Sequence, residues 1–268
     1  MTHPSTTITS ADNPRIKEAC RLRRKPYRIR TGLMLVEGTR EIAAAVEHLA
    51  EIQQVFHCDA LLRDDTERRL LDDCHSREIP CTPCSEPVFR KLVYRENPGG
   101  LLAVARANLP GIETIQLSAC PLLLVAVSLE KPGNLGAILR IADAANADAV
   151  VLCDACIDAG NPNVIRASAG ARFSVQIATA TTAEFLAWAG HNSIRVVAAT
   201  PRAKGTYTDY NWTDPTAIAL GTEAEGLAEN WFQEADAQVR IPMRGKVDSL
   251  NVSTVASVLV FEALRRRG

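Results

Sequence analysis

Six predicted strands in the second half of the chain limit its fold most strongly, because their apolar residues run continuously instead of alternating with polar ones. Continuous runs are typical of parallel strands that are covered on both faces of a sheet. Apolar residues at helical spacing from Val252 to Leu264 also predict a final helix with one buried face. This half is therefore predicted to be an α/β domain with a parallel sheet. The six strands lie near Leu122–Val127, Ala149–Cys153, Phe173–Ile177, Ile194–Ala199, Ala217–Leu220 and Gln238–Ile241.

Strands and helices also alternate in the first part of the chain, which predicts a smaller α/β domain over residues 1–108. The segment Asn108–Ala119 contains Pro110 and Gly111 and few large apolar residues, so we interpret residues 109–120 as a linker. The second domain then covers residues 121–268. The predicted strands of the first domain are Leu33–Val36, Ile52–Phe56, Ile79–Cys81 and Leu101–Arg106, and its predicted helices are Arg40–Leu49, Asp64–Cys74 and Glu86–Val93.

A basic segment over residues 15–30 carries eight basic side chains and one acidic one. Arginine suits phosphate, and Tyr27 within the segment offers an aromatic ring on which a base can stack. A nucleic-acid contact is therefore one interpretation, and a solvated helix with extended arginines is the other. The candidate contact residues are Arg15, Arg21, Arg23, Arg24, Lys25, Arg28 and Arg30.

Composition excludes several classes of protein. With 47% hydrophobic residues and 30 Lys+Arg against 31 Asp+Glu, the chain is neither disordered nor a coiled coil. No apolar run approaches the roughly 18 residues that a membrane span requires. The polar stretch Met1–Asn13 has no apolar core like that of a secretion signal, so we expect a soluble, cytoplasmic protein.

The eight cysteines are expected to be reduced thiols in that compartment. Two pairs, Cys81/Cys84 and Cys153/Cys156, have the spacing of zinc ligands, and metal or redox chemistry is the alternative interpretation. Because Cys153 ends an apolar run, we expect it to be a small buried residue and predict no metal. The sequence has no GxGxxG after a strand, no GxxxxGK[ST], no HExxH and no GxSxG.

Three segments that follow predicted strands of the second domain carry candidate site residues. In the first, Asn134 is a candidate helix cap and Arg140 lies six residues further along the predicted helix. In the second, Glu223 lies between two glycines that allow close approach of backbone amides to a ligand. In the third, a basic loop precedes the last helix, which either Ser249 or Asn251 is predicted to cap.

Together these segments resemble the SpoU–TrmH family of SPOUT RNA methyltransferases. The matching motifs, in family order, are N-x-G-x-x-x-R at 134–140, G-x-E-x-x-G at 221–226 and I-P-M-x-G-x-x-x-S-L-N-V-S at 241–253. The similarity covers Leu122–Gly268, and a looser one relates Ser10–Asn108 to the ribosomal-protein-like domain that binds substrate in many members. One departure is Val255, where the family usually has Ala; we expect it to add bulk to a packed helix and to leave the site residues intact.

The resemblance implies 2′-O-ribose methylation of RNA from S-adenosylmethionine, a trefoil knot and a homodimer. Large-subunit ribosomal RNA is the expected substrate, with transfer RNA, or a catalytically silent RNA-binding protein, as alternatives. Arg140 matches the family arginine proposed as the base, and phosphate binding with alkoxide stabilisation is the milder role. The other implied catalytic residues are Asn134, Glu223, Ser249 and Asn251. The implied donor-binding residues are Gly221, Ile241, Met243 and Leu250, with Leu220 and Thr200 nearby.

Overall fold

A computed structural model of the chain describes residues 6–155, 157–223 and 225–268. It divides into two compact units, which do not follow one cut in the sequence. The first contains the chain up to Asn108 together with Asp158–Ser174, and the second contains Leu109–Ile157 and Val175–Gly268. The segment Asp158–Ser174 thus belongs to the first unit although it interrupts the second in sequence.

The first unit is built on a four-stranded sheet in the order β1-β4-β2-β3. Strand β4 is antiparallel to both β1 and β2, and β2 is parallel to β3. The strands are β1 Leu33–Glu37, β2 Ile52–His57, β3 Cys81–Pro83 and β4 Leu101–Arg106. The helices are α1 Pro14–Arg21, α2 Lys25–Thr31, α3 Thr39–Glu47, α4 Asp65–Ser76 and α5 Glu86–Leu92, and a short 3₁₀ turn covers Asp59–Leu61.

Local sequence signals explain where these helices begin and end. Pro14 opens α1 behind the cap Asn13, whose side chain accepts a hydrogen bond from the Arg15 amide. Asp64 caps α4 in the same way, accepting bonds from two backbone amides of its first turn. Gly32 stops α2 because it adopts a left-handed conformation, with φ of 62°. The alternation of strands and helices predicted for this part of the chain is confirmed.

The second unit contains a six-stranded sheet in the order β10-β8-β9-β5-β6-β7, with every pair parallel. The strands are β5 Leu122–Val127, β6 Ala149–Cys153, β7 Gln176–Ala180, β8 Arg195–Ala199, β9 Thr216–Leu220 and β10 Ala237–Val239. The helices are α6 Pro132–Ala144, α9 Thr182–His191, α10 Glu229–Glu234 and α11 Val252–Arg267, with a 3₁₀ turn over Ile112–Thr114. Two helices of the inserted segment, α7 Pro162–Ser168 and α8 Ala171–Ser174, belong to the first unit. The predicted α/β fold with a parallel sheet is confirmed.

Strand β7 differs from its prediction over Phe173–Ile177. It begins at Gln176, because Phe173 belongs to the short helix α8 and packs against the core of the first unit. The apolar residues near 173 therefore pack as part of a helix. A short apolar run can belong to a buried strand or to a buried helix, and periodicity alone does not distinguish the two.

Both faces of the parallel sheet are covered, as continuous apolar strands require. One face packs against a core that includes Phe185, Trp231 and Leu227. On the other, α11 packs against α6 and β9. The end of α11 is tied down by Arg267, which donates hydrogen bonds to the carbonyls of Trp212, at 2.9 Å, and Cys120, at 2.8 Å. None of the described helices is long and apolar enough to cross a bilayer.

Candidate active site

The chain segments that follow β8, β9 and β10 surround a cavity of about 430 Å³. These strands are neighbours and parallel, so their carboxyl ends lie on the same edge of the sheet. Open α/β sheets bind their ligands at this edge. The structure brings all six predicted donor-binding residues into the cavity lining: Thr200, Leu220, Gly221, Ile241, Met243 and Leu250.

The loop after β9 is closed by a short antiparallel pair between Thr222 and Gly226. The Thr222 amide donates to the Gly226 carbonyl at 3.1 Å, and the Gly226 amide returns a bond at 3.0 Å. Gly226 has a φ of 74°, a conformation that favours glycine. A Cβ atom on Gly221 would lie less than 3.0 Å from backbone atoms of Gly226 and Leu227. The tight loop therefore requires glycine at both ends of the predicted motif.

Three of the predicted site residues form one hydrogen-bond network. The Asn134 amide donates to Glu223 Oε1 at 3.0 Å, and the Asn251 amide donates to Asn134 Oδ1 at 3.1 Å and also to Glu223 Oε1. Lys131 forms an ion pair with the other oxygen, Glu223 Oε2. The Glu223 carboxylate thus joins the start of α6, where Asn134 lies 89 residues away in sequence, to the start of α11, where Asn251 lies 28 residues away.

This carboxylate is held in its ionised form. The hydrogen bond from Lys131, then that from Asn134, lowers the pKa of Glu223 below the ordinary glutamate value. Ionised carboxylates accept hydrogen bonds only, and charge-assisted bonds are stronger than neutral ones. At neutral pH Glu223 therefore acts as a fixed acceptor that keeps the three loops together.

The caps of the two site helices differ from each other. Asn251 caps α11, and its Oδ1 accepts bonds from the Ser253 amide at 2.9 Å and the Ser253 hydroxyl at 2.6 Å. This outcome selects Asn251 over Ser249. The prediction that Asn134 caps α6 is wrong, because Lys131 is the cap and Asn134 lies inside the first turn. Pro132 explains the early start, since proline is favoured at the first helical position.

Arg140 and Ser249 lie outside this network. Ser249 lines the cavity, whereas the exposed Arg140 is absent from its lining. Six residues separate Arg140 from Asn134 on α6, about 9 Å along the axis and roughly 120° around it. The side chains of Asn134 and Arg140 therefore point in different directions from α6, so within a single chain they do not meet at one point.

Two residues of this region were not predicted as site residues. Lys131 carries the ion pair to Glu223, and its only sequence signal is its place in the loop between β5 and α6. Val255, expected only to add bulk to a packed helix, lines the cavity between Val252 and Leu259 on α11. The bulk that Val255 adds relative to Ala therefore lies at the cavity wall and not only in the packed helix.

The cavity fits a nucleoside-bearing methyl donor. Its volume lies within the range of roughly 300–1,000 Å³ typical of small-molecule sites. Apolar side chains such as Leu220, Ile241 and Met243 provide surfaces for a flat ring, and the nearby Thr200 and Ser249 add hydroxyl groups. The glycine-bordered loop brings backbone amides close to the same space. Methyl transfer removes the positive charge from the donor's sulfur, so the cavity does not need a buried ionised side chain as a counter-charge.

The basic segment folds into α1 and α2, and several of its arginines are engaged within the first unit. Arg15 donates to the side chains of Gln54 and, at 2.8 Å, Thr82. Arg21 and Arg30 lie over the Tyr27 ring, 6.0 and 4.8 Å from its centroid. These three arginines remain exposed, so their outer surfaces face solvent.

Arg28 departs from the prediction of an exposed RNA contact. Only 4% of its side chain is exposed, and its guanidinium pairs with Asp158 at 2.7 Å and donates to the Leu22 carbonyl at 2.7 Å. This guanidinium is committed to holding the inserted segment within the first unit. Arg24 and Lys25, at the start of α2, are exposed.

The cysteine pairs do not form a metal centre in the part of the chain described. No group of three or more His, Cys, Asp and Glu side chains there is arranged to hold a metal ion. Cys153 is buried in β6, and burial raises the pKa of its thiol to about 12. Its sequence partner Cys156 lies outside the described residues.

Comparison with known protein families identifies both parts of the chain. The model of the SpoU rRNA Methylase family matches residues 121–261, and that of the MRM3-like substrate binding domain matches residues 13–103. The chain belongs to the SpoU rRNA methylase family. The resemblance inferred from the three motifs is thereby confirmed, and so is the predicted class of enzyme, an S-adenosylmethionine-dependent RNA 2′-O-methyltransferase.

Several relatives match this chain over nearly its whole length. A crystal structure of an RNA 2′-O ribose methyltransferase is 43% identical, with a TM-score of 0.82 over 98% of this chain and 99% of that one. An AdoMet-bound rRNA methyltransferase from Sinorhizobium meliloti is 26% identical, with a TM-score of 0.88 over 97% and 98%. The 23S rRNA (guanosine(2553)-2′-O)-methyltransferase RlmP of Bacillus subtilis is 26% identical over 95% of this chain and 97% of its own.

Proposed function

We propose that this SpoU family member methylates a ribose 2′-hydroxyl of large-subunit ribosomal RNA. One observation carries the proposal: the six predicted donor residues line one cavity, and the Asn134–Glu223–Asn251 network ties together the loops at its edge. Relatives with 23S rRNA names, such as RlmP, align over nearly the whole chain, and this supports a ribosomal substrate. Only RNA carries the 2′-hydroxyl that the reaction needs.

The lining of the cavity suits the donor's adenosine. Leu220, Ile241, Met243 and Leu250 enclose its apolar surface, while Gly221 lets the backbone approach closely. S-adenosylmethionine, when bound, supplies an electrophilic methyl group on sulfur. The residues of the chain then have to orient that group, exclude water and position the acceptor hydroxyl in line with it.

We assign Arg140 to contact with the RNA nucleotide that accepts the methyl group. A guanidinium keeps its proton up to about pH 12, so a positive side chain suits a developing alkoxide better than it suits proton abstraction. We assign it to binding the adjoining phosphate and to stabilising the 2′-oxygen as its charge grows. Glu223, Asn134 and Asn251 act as positioning residues, and Ser249 supplies a hydroxyl at the cavity wall.

A homodimer completes the site in this proposal. Arg140 is exposed on α6 and absent from the cavity lining, so we assign to a second copy of the chain the task of bringing its Arg140 to the donor. Phe261, on the neighbouring helix α11, is a large apolar residue with 47% of its surface exposed, which supports an interface at these helices.

The trefoil knot and a cytoplasmic location are part of the same proposal. Backbone bonds join Arg240 to Gly205 and Tyr207, and the Arg266 guanidinium, at the end of α11, bonds to the Thr208 carbonyl. The chain from 205 to 208 thus contacts both the segment that follows β10 and the end of α11, and these contacts support the proposed knot. The relatives named for ribosomal RNA come from bacteria, whose ribosomes are in the cytoplasm.

The experiment that tests the function is transfer of tritium from labelled S-adenosylmethionine to ribosomal and transfer RNA. We expect one 2′-O-methylated position in large-subunit RNA, found by mapping with and without the protein. Arg140→Ala is expected to keep donor affinity and lower turnover at least about 100-fold. Labelling of transfer RNA alone would overturn the substrate assignment, and no labelling of any RNA would favour a silent binding protein.

Mixed dimers test the shared site. At a donor concentration well below the raised Kd of the Gly221→Ala protein, Arg140→Ala and Gly221→Ala proteins are each expected to show little activity. After mixing, half of the dimers carry one intact site if the site spans both subunits. Activity should then return to about one quarter of the wild-type value. No recovery, with exchange verified by mass spectrometry, would contradict a site shared between subunits.

A further inference from the structure

The first unit contains a second cavity, of about 290 Å³, that the methyl-transfer reaction does not use. It is bordered by β1, by the loop after α5 and by α7, all of which belong to this unit. None of its residues is shared with the donor cavity. Its lining consists of Arg23, Arg28, Leu35, Glu37, Tyr94, Arg95, Asn161, Pro162, Asn163, Ile165 and Arg166.

Positive charge dominates this lining, with four arginines and a single carboxylate. Arg28 and Arg95 are paired, with Asp158 at 2.7 Å and Glu41 at 3.5 Å. Arg23 and Arg166 are exposed, and neither has an ion-pair partner among the described residues. Arg23 donates a hydrogen bond to the Val93 carbonyl, and Arg166 donates one to Asn163 Oδ1 at 3.1 Å. Both guanidinium charges therefore lack a counter-ion, and their remaining N–H groups suit phosphate.

A flat aromatic surface lies beside these charges. Tyr94 is 41% exposed, an unusual exposure for a large aromatic residue in this chain. The guanidinium of Arg23 lies over its ring, 5.0 Å from the centroid. Aromatic rings and arginine planes are the groups on which unpaired RNA bases stack.

Hydrogen bonds and an ion pair hold parts of the cavity lining in place. Glu37 accepts hydrogen bonds from the backbone amides of Tyr94, at 2.8 Å, and Arg95, at 3.1 Å, so both carboxylate oxygens hold that loop. The opposite wall is fixed by the buried pair of Arg28 and Asp158. A preformed site avoids the entropic cost of ordering its side chains on binding.

We propose that this cavity binds one unpaired nucleotide of the RNA substrate, with its base against Tyr94 and its phosphate between Arg23 and Arg166. The inference rests on the proposed function in taking RNA as the substrate. The volume limits the ligand to about one nucleotide, since it lies just below the range of ordinary small-molecule sites. A nucleotide that is turned out of an RNA loop exposes both the face of its unstacked base and its phosphate. The cavity therefore helps to select a looped RNA over a regular duplex.

The test measures binding and catalysis separately in Tyr94→Leu, Tyr94→Phe and Arg166→Gln proteins. Loss of base stacking is expected to weaken binding of large-subunit RNA roughly 5- to 150-fold in Tyr94→Leu. Tyr94→Phe keeps a ring and should bind within about twofold of wild type. KM for RNA should rise in Tyr94→Leu while kcat at saturating RNA and donor affinity stay unchanged.

Arg166→Gln provides an independent readout, because loss of a phosphate contact reduces the salt dependence of binding. The slope of log K against log salt should fall by about one. The matched control is Arg106→Gln, an exposed arginine of the same unit that pairs with Glu51 outside the cavity; its affinity and salt slope should match wild type. Since Arg166 is exposed, its variant is expected to fold even if Tyr94→Leu loses stability.

Wild-type affinity and salt slope in both Tyr94→Leu and Arg166→Gln would overturn the proposal, as would an equal loss in Arg106→Gln. Binding is measured by fluorescence anisotropy with a labelled large-subunit RNA fragment and with a duplex of the same composition. A wild-type protein that binds RNA through Tyr94 but labels none would overturn the proposed function and leave this binding site standing.

Discussion

Gly221→Ala tests the tight loop at the centre of the donor cavity. The new Cβ would lie less than 3.0 Å from backbone atoms of Gly226 and Leu227, a separation that real Cβ atoms do not adopt. Because these are backbone atoms, no side chain can turn aside to make room. The loop must either hold the strain or open the hydrogen-bonded pair between Thr222 and Gly226.

Both responses cost a similar amount of free energy. Overpacking a closed site costs about 1–3 kcal/mol. Opening the pair instead loses two backbone hydrogen bonds, each contributing about 0.5–1.5 kcal/mol. The free energy of unfolding should therefore fall by about 1–3 kcal/mol, which lowers Tm by roughly 2–12 °C. If the loop opens in the free protein and must close on binding, the same energy raises the donor Kd about 5- to 150-fold.

Calorimetric titration with S-adenosylmethionine and a thermal melt measure the two effects. Gly190→Ala is the matched control, because Gly190 is an exposed helical glycine with nothing within 4 Å of its added Cβ. That variant should bind the donor like wild type and gain up to about 1 kcal/mol of stability. A Gly221→Ala protein that binds the donor within twofold of wild type and melts at the wild-type temperature would refute the steric argument.

Three further predictions concern the charged and amide groups. Lys131→Met should raise the pKa of Glu223 toward its ordinary value, seen by carbon NMR of the carboxyl group, because the Lys131 hydrogen bond is the main cause of the lowered pKa. Since the folded pKa is lowered, the stabilisation from Glu223 is present above the unfolded value near 4.5 and is lost as pH falls through the folded value. Arg28→Gln leaves Asp158 buried without its partner and should lower the free energy of unfolding by about 3–5 kcal/mol in urea titrations. Asn251→Ala removes a helix cap worth about 1 kcal/mol and should weaken donor binding by loosening the network.

Two of these predictions have a control variant, and the third has a result that would contradict it. Arg90→Gln breaks an exposed pair with Glu86 and should cost less than about 1 kcal/mol, so an equal loss in Arg28→Gln would contradict the role of burial. Asn251→Ser keeps a capping oxygen and should keep stability while losing the amide bonds to Glu223. Identical carboxyl titrations in wild type and Lys131→Met would show that the ion pair does not set the pKa of Glu223.

Several features of the fold could be predicted from local sequence. The strand Leu101–Arg106 was predicted with its observed bounds, and the continuous apolar strands correctly indicated a parallel sheet. Prediction failed where residues serve a distant part of the molecule. Phe173 was assigned to a strand, yet it packs in a short helix against the first unit. Arg28 belongs to a basic segment, yet it is buried because Asp158, 130 residues away in sequence, pairs with it.

By itself the sequence determined most of the strands, the family and the residue types that the site requires, because propensity, periodicity and motif spacing are local properties of the chain. Only the tertiary structure decided which of those residues meet. It joined Glu223 to Asn134 and Asn251 and recruited Lys131, it placed Val255 in the cavity wall, and it left Arg140 outside. These outcomes depend on the order of strands in the sheet and on the faces of two packed helices, and no local pattern encodes either one.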